Sequence, residues 1–330
     1  MAELVLGVGS SHSPMVTMGG DDWLAWGERD LSHPMLHTRD GRHVSYEEQL
    51  AAVGDTLVAE VTAERCAEGA ARVDAAVSQL RRALAEARPD VVVIVGDDQS
   101  EHLLGDNLPP FLVYWGDAIT NDALADHDDR SALFARFGPG YYEPGGARTY
   151  PVATALARHL IATAADGDVD VATSNALPRS GRGMGHAFGF PVRRLVPEGA
   201  AIVPVMVNTY NPPSQPRARR CRALGAVLRH AIETYPGGER VAVVASGGLS
   251  HFIVLEDLDR EVLDAFGRGD LDAVCEVPEA TYVAGTSEIK NWITTAAACD
   301  GFRFELVDYV PAYRTPAGTG AGLGFALWRP

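Results

Sequence analysis

Short apolar runs, each ended by glycine or polar residues, recur along the chain and predict buried β-strands. The clearest run occupies positions 91–95, and the other predicted strands occupy positions 4–8, 110–115, 201–207, 241–245, 302–310 and 323–328. Helical patterns fill most of the intervals, at positions 46–87, 152–164, 214–233, 255–266 and 287–298. Strands that alternate with helices favour an α/β fold with a central mixed or mostly parallel sheet flanked by helices. Because no repeat or linker interrupts the pattern, we predict one large domain over residues 1–330.

Local signals mark where some of these helices begin. Ser45 and Glu48 have the spacing of a capping box, in which each side chain satisfies a free backbone amide. The helix that follows is predicted to reach position 87, with a break near positions 63–69. Ser214 is the predicted cap of a later helix that carries Pro216 in its first turn. The segment at positions 20–50 does not fit the alternation, and we expect it to cover the functional site.

Composition restricts the classes of ligand. The chain has 28 basic and 44 acidic side chains, a formal net charge of −16, which argues against binding to nucleic acid or to an anionic membrane. An anionic small molecule would need a local Arg or Lys inside its pocket. No apolar stretch reaches the roughly 20 residues of a membrane span. The first residues lack the basic region of a signal peptide and the four cysteines are scattered, so we predict a cytoplasmic protein with free thiols.

Polar or glycine-rich loops follow several predicted strands and carry side chains that can bind a metal or move a proton. They are Gly9-Ser-Ser-His12, Gly96-Asp-Asp-Gln99 and Ser246-Gly-Gly-Leu-Ser-His251, and two similar segments are Gly183-Met-Gly-His186 and Gly285-Thr-Ser-Glu288. The carboxyl ends of strands share one edge of an α/β sheet, so we expect the active site there. Two or more histidines with a carboxylate compose an open-sided iron site. Each residue also has a simpler explanation, such as a hydrogen-bonded loop histidine or a carboxylate at a helix start. The residues alone therefore predict a metal or acid–base site without specifying a reaction.

Taken in order, these motifs resemble the catalytic-subunit family of protocatechuate 4,5-dioxygenase, which are class III extradiol ring-cleaving dioxygenases. The resemblance is clearest to the gallate and 3-O-methylgallate dioxygenases and covers almost the whole chain. Three longer stretches share it, at positions 207–216, 285–293 and 313–320. The resemblance implies that His12 and Glu288 are ligands of Fe(II) and that His251 is the catalytic acid–base. It makes His186 a second pocket histidine that contacts substrate or O2.

One ligand position departs from the family pattern. The second histidine ligand of the family is replaced by Gln99, whose amide oxygen binds iron more weakly than an imidazole does. His37, Glu101 and His102 are alternative third ligands, and His37 is preferred among them. The departure puts the metal affinity of the site in question.

The resemblance also implies a substrate class, namely a catecholic aromatic acid such as gallate, 3-O-methylgallate or protocatechuate, opened with O2. Arg314 is our candidate for binding its carboxylate, because a guanidinium pairs with a carboxylate through two hydrogen bonds. Tyr210 and Asn211 either line the pocket or only form the turn before the Ser214 helix.

Two other functions stay open at this point. The altered Gln99 position permits a Zn- or Fe-dependent hydrolase on the same scaffold. A non-catalytic binding protein that kept the fold and lost the metal is the third possibility. The partners expected are a small aromatic molecule and O2, and a homodimer is left open.

Overall fold

The computed structural model of the chain describes residues 1–127, 129, 131–179 and 182–330. Within these residues the strands are β1 (Glu3–Ser10), β2 (Val91–Gly96), β3 (Phe111–Tyr114), β4 (Ala118–Asn121), β5 (Arg148–Pro151), β6 (Ala172–Ser174), β7 (Ala201–Val207), β8 (Arg240–Ser246), β9 (His251–Ile253), β10 (Arg303–Tyr313) and β11 (Thr319–Arg329). The α-helices are α1 (Gly20–Gly27), α2 (Tyr46–Val53), α3 (Ala63–Ala87), α4 (Phe134–Phe137), α5 (Thr154–Asp166), α6 (His186–Arg194), α7 (Ala218–Thr234), α8 (Glu256–Arg268), α9 (Leu271–Glu276) and α10 (Ile289–Ala298). Short 3-10 helices include Glu28–Ser32 and Ala284–Glu288.

Nine of the strands form one mixed sheet in the order β10-β11-β1-β8-β2-β7-β3-β6, with β9 paired to β11. The central strands β1, β8, β2 and β7 are parallel to one another. Strands β9, β10 and β1 pair with β11 in antiparallel fashion, and β3 is antiparallel to β7. The predicted α/β domain with a mixed sheet is confirmed.

Helices cover both faces of this sheet, which explains why its central strands are apolar at every position. Val91, Val93 and Val95 of β2 belong to a core that includes residues of α5, α7, α8, α9 and α10. Val92 and Ile94 face the opposite core, which includes residues of α3 and α6. A parallel strand buried on both faces cannot alternate apolar and polar residues.

Two local predictions about helices were wrong. The helical stretch breaks before position 63, not at 63–69, because Gly54 ends α2 at φ +61° and Thr62 caps α3 by accepting a hydrogen bond from the Arg65 amide. Helix α7 begins at Ala218, and Ser214 does not cap it. The Ser214 hydroxyl is already used, since it hydrogen-bonds to the Leu108 carbonyl. The capping box at Ser45 is confirmed.

The segment at positions 20–50 is anchored to the body of the protein at two places. Trp23 of α1 is buried and its indole N–H donates to the Met15 carbonyl. Leu36 and Val44 form a small apolar cluster with Ile253 of β9. That the catalytic domain spans residues 1–330 as one unit stays a prediction.

Candidate active site

The carboxyl ends of the parallel strands carry most of the candidate residues. His12 follows β1, Asp97 and Gln99 follow β2, Tyr210 follows β7, and His251 follows β8 as the first residue of β9. Because these strands are parallel neighbours, their carboxyl ends meet at one edge of the sheet, as predicted. Glu288 reaches the same place from the 3-10 helix that leads into α10.

Glu288 is the centre of the cluster. It is 1% exposed, and its Oε2 accepts a hydrogen bond of 2.6 Å from the Gly248 amide and lies 3.2 Å from His12 Nε2. Its Oε1 accepts from the Tyr210 hydroxyl and lies near His251 Nε2, each at 3.1 Å. Burial by itself would raise the pKa of Glu288, but the neighbouring imidazoles of His251 and His12 hold it well below its ordinary value.

His12 presents a buried nitrogen that lacks a hydrogen-bond partner among the described residues. Its Nδ1 is hydrogen-bonded to Ser246 Oγ at 2.9 Å, which fixes the orientation of the ring. Its Nε2 lies 3.2 Å from Glu288 Oε2 and 3.9 Å from Asp97 Oδ1 without an aligned hydrogen bond. Metal-binding histidines have this arrangement, with one nitrogen held by a protein group and the other left to the ion. Two donors bound to one ion at about 2.1 Å lie about 3 Å apart, so the His12–Glu288 spacing fits a shared metal.

Sequence reasoning missed Asp97 as a member of this cluster. Asp97 is 1% exposed, and one ligand atom from each of His12, Asp97 and His186 lie within 4.8 Å of one another. Desolvation and the nearby charge of Glu288 raise the pKa of Asp97 to about 6. The sequence did contain a signal for Asp97: residues two positions apart in extended backbone project to the same side, so Asp97 is expected beside Gln99.

Gln99 lies in the cluster, between the two carboxylates. Its amide nitrogen donates to Glu288 Oε1 at 3.1 Å and to Asp97 Oδ2 at 3.4 Å. An amide exposes a donor on one side and an acceptor on the other, so a half-turn about its last bond would present the carbonyl oxygen at the same place. Gln99 can therefore act as a weak oxygen ligand or as a hydrogen-bond donor that orients Asp97 and Glu288.

Of the three alternative third ligands, two lie outside the main cavity and the third is paired with His186. His37 hydrogen-bonds to the Met35 carbonyl and packs edge-on against His43, away from the cavity that contains the cluster. His102 is hydrogen-bonded through Nε2 to the Gly183 carbonyl and lines a separate apolar cavity. Glu101 lines the main cavity but accepts a 2.7 Å hydrogen bond from His186 Nδ1.

Two histidines in the cavity are oriented by fixed hydrogen bonds. His251 Nδ1 bonds the Leu249 carbonyl at 3.0 Å and therefore carries hydrogen, so Nε2 is the nitrogen that faces Glu288 and Tyr210. Burial alone would lower the pKa of His251, but Glu288 raises it above its ordinary value. Burial also opposes charge on His186, but Glu101 outweighs it and raises the pKa of His186 to about 10.

A cavity of about 330 Å³ surrounds the cluster. Many of its walls are aromatic: Trp26, Phe134, Phe137, Tyr141, Tyr142, Tyr210 and Phe252. The segment at positions 20–50 contributes Trp26, Arg29 and His33. Arg314, the predicted carboxylate-binding residue, also lines the cavity, but its guanidinium already donates two hydrogen bonds to the Asp30 carboxylate. Asn211 lies outside the lining, where its backbone amide donates to Asn208 Oδ1 in the turn after β7.

Buried histidine and carboxylate side chains at the strand ends of an α/β sheet, beside oriented histidines, could hold a divalent metal ion. Residues 56–324 match the family model described as the catalytic LigB subunit of aromatic ring-opening dioxygenase. The match covers well over half of the chain, which therefore belongs to this family.

Individual relatives are similar over shorter stretches. The gallate dioxygenase of Pseudomonas putida is 38% identical over 101 residues, which cover 29% of this chain and 28% of the relative. The 2,3-dihydroxyphenylpropionate/2,3-dihydroxicinnamic acid 1,2-dioxygenase of Mycolicibacterium gilvum is 30% identical over 181 residues, 54% of this chain and 49% of the relative. The enzyme of the same name from Comamonas testosteroni is 27% identical over 184 residues, 54% and 48% of the two chains. The aligned part thus spans about half of these relatives' length or less. Among the described residues, no helix has both the length and the apolar character needed to cross a bilayer.

Proposed function

We propose that this chain is an Fe(II)-dependent extradiol dioxygenase that opens the ring of a catecholic aromatic acid with O2. The observation that carries the proposal is the buried Nε2 of His12, which has no hydrogen-bond partner in the described part of the chain and faces Glu288 and Asp97, while His251 lies beside Glu288. Family membership and the aromatic walls of the cavity support the same conclusion. An aromatic ring packs favourably against such walls.

The residues that would hold the metal are His12, Glu288 and Asp97, with Gln99 as a further oxygen donor or as an orienting group. One imidazole with carboxylate oxygens suits a divalent first-row ion, although it contains more oxygen donors than the two-histidine, one-carboxylate set. When bound, Fe(II) supplies the Lewis acidity that favours ionised catechol oxygens and the redox link between a closed-shell ring and O2. Zinc has no accessible redox change and could not provide that link.

His251 is the group we assign to proton transfer. The Leu249 carbonyl holds its Nδ1–H, so Nε2, which faces Glu288 and the cavity, is the nitrogen that would take a hydroxyl proton from the substrate and return it later. The Tyr210 hydroxyl lies 3.3 Å from this nitrogen and donates its hydrogen to Glu288 Oε1, so it contacts both the proposed proton-transfer group and the proposed metal ligand.

His186 is the second histidine that we assign to the reaction. Glu101 holds its Nδ1 and stabilises the charged ring, which leaves Nε2–H as a donor toward developing negative charge on substrate or oxygen. Its ring centroid lies 4.7 Å from that of His12, so this donor is adjacent to the proposed metal ligands.

Anaerobic loading with Fe(II), followed by O2 with gallate, 3-O-methylgallate, protocatechuate or catechol, tests the proposal. We expect O2 uptake and ring-opened product with at least one of them. His251→Ala should abolish turnover while iron content, measured by elemental analysis, is retained, and His12→Ala should lose the iron. His230→Ala, at an exposed position of α7, is the matched control and should change neither quantity.

Three outcomes would reject parts of this proposal. Absence of turnover with every catechol would reject the activity, and stoichiometric zinc with esterase activity would favour the hydrolase. Loss of iron in His251→Ala would reject the proton-transfer role and make His251 a ligand. Unchanged metal content in His12→Ala would reject the metal site.

Location and assembly are part of the proposal as well. We propose a cytoplasmic protein, to be tested by cell fractionation, and a homodimer, to be tested by sedimentation equilibrium.

A further inference from the structure

The cavity has a second polar region besides the metal cluster. We call Arg29, His33 and Arg314 the basic cluster; all three line the cavity. Two of them come from the segment at positions 20–50 and one from the turn between β10 and β11. The charge balance of this cluster bears on the substrate.

Arg314 is already neutralised inside the protein. Its Nε and Nη2 donate to the two oxygens of Asp30 at 2.9 and 3.1 Å, and both residues are buried. Thr319 Oγ1 donates a third hydrogen bond of 2.6 Å to the same carboxylate. What remains of Arg314 is Nη1, which lies 3.8 Å from Met15 Sδ. Arg314 can therefore offer an N–H to a ligand but no uncompensated charge.

The second cation of the basic cluster is Arg29. Arg29 is exposed, and its guanidinium stacks over the Trp26 ring at 5.3 Å. The described carboxylate that feels its charge, that of Asp129, is also exposed at the cavity and forms no ion pair with it within 4 Å. Its sequence neighbour Asp30 is committed to Arg314. The charge of Arg29 is felt by the other members of the cluster, because it lowers the pKa of both His33 and Arg314.

His33 adds a neutral donor. Burial, aided by the charges of Arg314 and Arg29, lowers the pKa of His33 to about 4, so the ring is uncharged at neutral pH. Its Nδ1 accepts the Met35 amide at 3.2 Å, so the hydrogen of the neutral ring is on Nε2. The ring packs at 4.0 Å on Phe252, the residue after His251, which links the basic cluster to the proposed proton-transfer group.

The basic cluster thus contains two guanidinium groups and one buried carboxylate, that of Asp30, which is bound to Arg314; the Asp129 carboxylate near Arg29 is exposed to solvent, where its charge is screened. We propose that Arg29, supported by His33 Nε2–H and Arg314 Nη1, binds the carboxylate of the substrate, which is an anionic catechol. The inference rests on the proposed function. It transfers the role predicted for Arg314 to Arg29 and makes Arg314 a fixed part of the wall.

Matched acidic and neutral catechols test this assignment in the Fe(II)-loaded protein. Gallate and 3-(2,3-dihydroxyphenyl)propionate carry the carboxylate on the ring and on a side chain, and pyrogallol and catechol lack it. We expect Arg29→Gln to raise KM for the acids roughly 10- to 100-fold, the range for losing a charged hydrogen bond. The KM of the neutral compounds and kcat should change little, and Arg29→Lys should recover part of the loss. Arg39→Gln, at an exposed arginine that pairs with Glu261, is the control and should leave every KM unchanged.

Direct binding separates this inference from the proposed function. Anaerobic calorimetric titration of the Fe(II)-loaded protein should show that gallate binds more tightly than pyrogallol and that Arg29→Gln removes the difference. That result would support the role of Arg29 even if no ring were opened. Equal effects of Arg29→Gln on acids and neutral compounds, or no effect on either, would overturn it while leaving the ring-opening activity intact. If Arg29→Gln affects one of the two acids more strongly, the carboxylate of that acid, on the ring or on the side chain, is the one placed closer to Arg29.

Discussion

Replacing Asp30 by Asn should destabilise the protein strongly, because it leaves the Arg314 guanidinium buried without a counter-charge. Asp30 is 0% and Arg314 5% exposed, and three hydrogen bonds end on the carboxylate. Removing one partner of a buried ion pair typically costs about 3–5 kcal/mol. The NH2 group of the asparagine would also face an N–H donor of Arg314, so the amide cannot replace both hydrogen bonds of the carboxylate. At an unfolding entropy of about 2.1 cal/mol/K per residue, this loss lowers Tm by about 4–7 °C for a chain of 330 residues.

Calorimetry or urea denaturation of the metal-free protein measures this change, and the m-value shows whether unfolding stays two-state. Asp308→Asn is the matched control, because Asp308 also pairs with an arginine, Arg72, but at the surface. That substitution should cost less than about 1 kcal/mol. If Asp30→Asn costs no more than Asp308→Asn, the reasoning from burial is wrong. The double variant Asp30→Leu/Arg314→Met, which removes both charges, should recover most of the lost stability.

The same substitution makes an opposite prediction for ligand affinity. Asp30→Asn removes the buried carboxylate that offsets the charge of Arg314, so binding of an acidic catechol should tighten while binding of a neutral one stays the same. A variant that is less stable but binds acids more tightly would separate the two roles of this ion pair. Weaker binding of both kinds of catechol would instead indicate that the wall of the cavity has collapsed.

Three other substitutions test separate parts of the site. Gln99→His places an imidazole where the family pattern has its second histidine ligand, so Fe(II) affinity, measured by chelator competition, should rise about 10-fold or more. Weaker binding would show that the Gln99 amide instead orients the carboxylates. Gly285→Ala puts a methyl group into the His251 ring, so kcat should fall at least about 100-fold with iron retained, whereas Gly105→Ala, which meets no neighbour, should be silent. Burial raises the pKa of Asp259 to about 6, so the folded state holds this proton more tightly than the unfolded state and stability falls as pH rises from about 4 to about 6. Relative to wild type, Asp259→Asn should gain up to about 3 kcal/mol across that window in urea titrations, and a pH-independent difference would contradict the assignment.

The sheet was predictable because its central strands are continuous apolar runs in the sequence. Strands β2, β7 and β8 are covered on both faces, so nearly every position must be apolar and the run stands out from the amphipathic helices around it. The closing strand β11 is buried in the same way, whereas β10 is partly exposed over its first half, and both extend beyond the predicted bounds. In these segments local sequence and burial agree.

Elements that depend on distant partners were not predictable. The three residues of β9 form a strand only because they pair with β11, the last strand of the chain. Helix α6 contains Gly189 and Pro191, both weak helix formers. A side chain at Gly189 would overlap the Tyr141 carbonyl, so the glycine is needed for close packing rather than for helix propensity. Tertiary contacts decide both elements.

The site shows the same division. His12, Gln99, His251 and Glu288 were expected to converge because they follow predicted strands or begin a helix, and the structure brings them together. Asp97 was not predicted, because two adjacent aspartates follow β2 and the sequence does not show that Asp97 joins the cluster while Asp98 accepts from the backbone of the next loop. The pairing of Arg314 with Asp30 could not have been predicted, since it joins residues 284 positions apart.

Arg29 and Asp30 show why charge must be read from structure rather than from composition. They are adjacent in one 3-10 turn, yet the turn directs the carboxylate inward to Arg314 and leaves the guanidinium at the cavity. In the sequence the charges of Arg29 and Asp30 cancel, whereas in the fold Asp30 is paired with Arg314 and Arg29 can interact with a ligand. The cavity consequently presents carboxylates that attract a cation and, apart from them, a basic cluster that attracts an anion. A catechol that carries a carboxylate can satisfy both only with its hydroxyls toward Glu288 and its acid group toward Arg29. On the proposed function, the position of the acid group relative to the hydroxyls would then decide which catechols the cavity accepts.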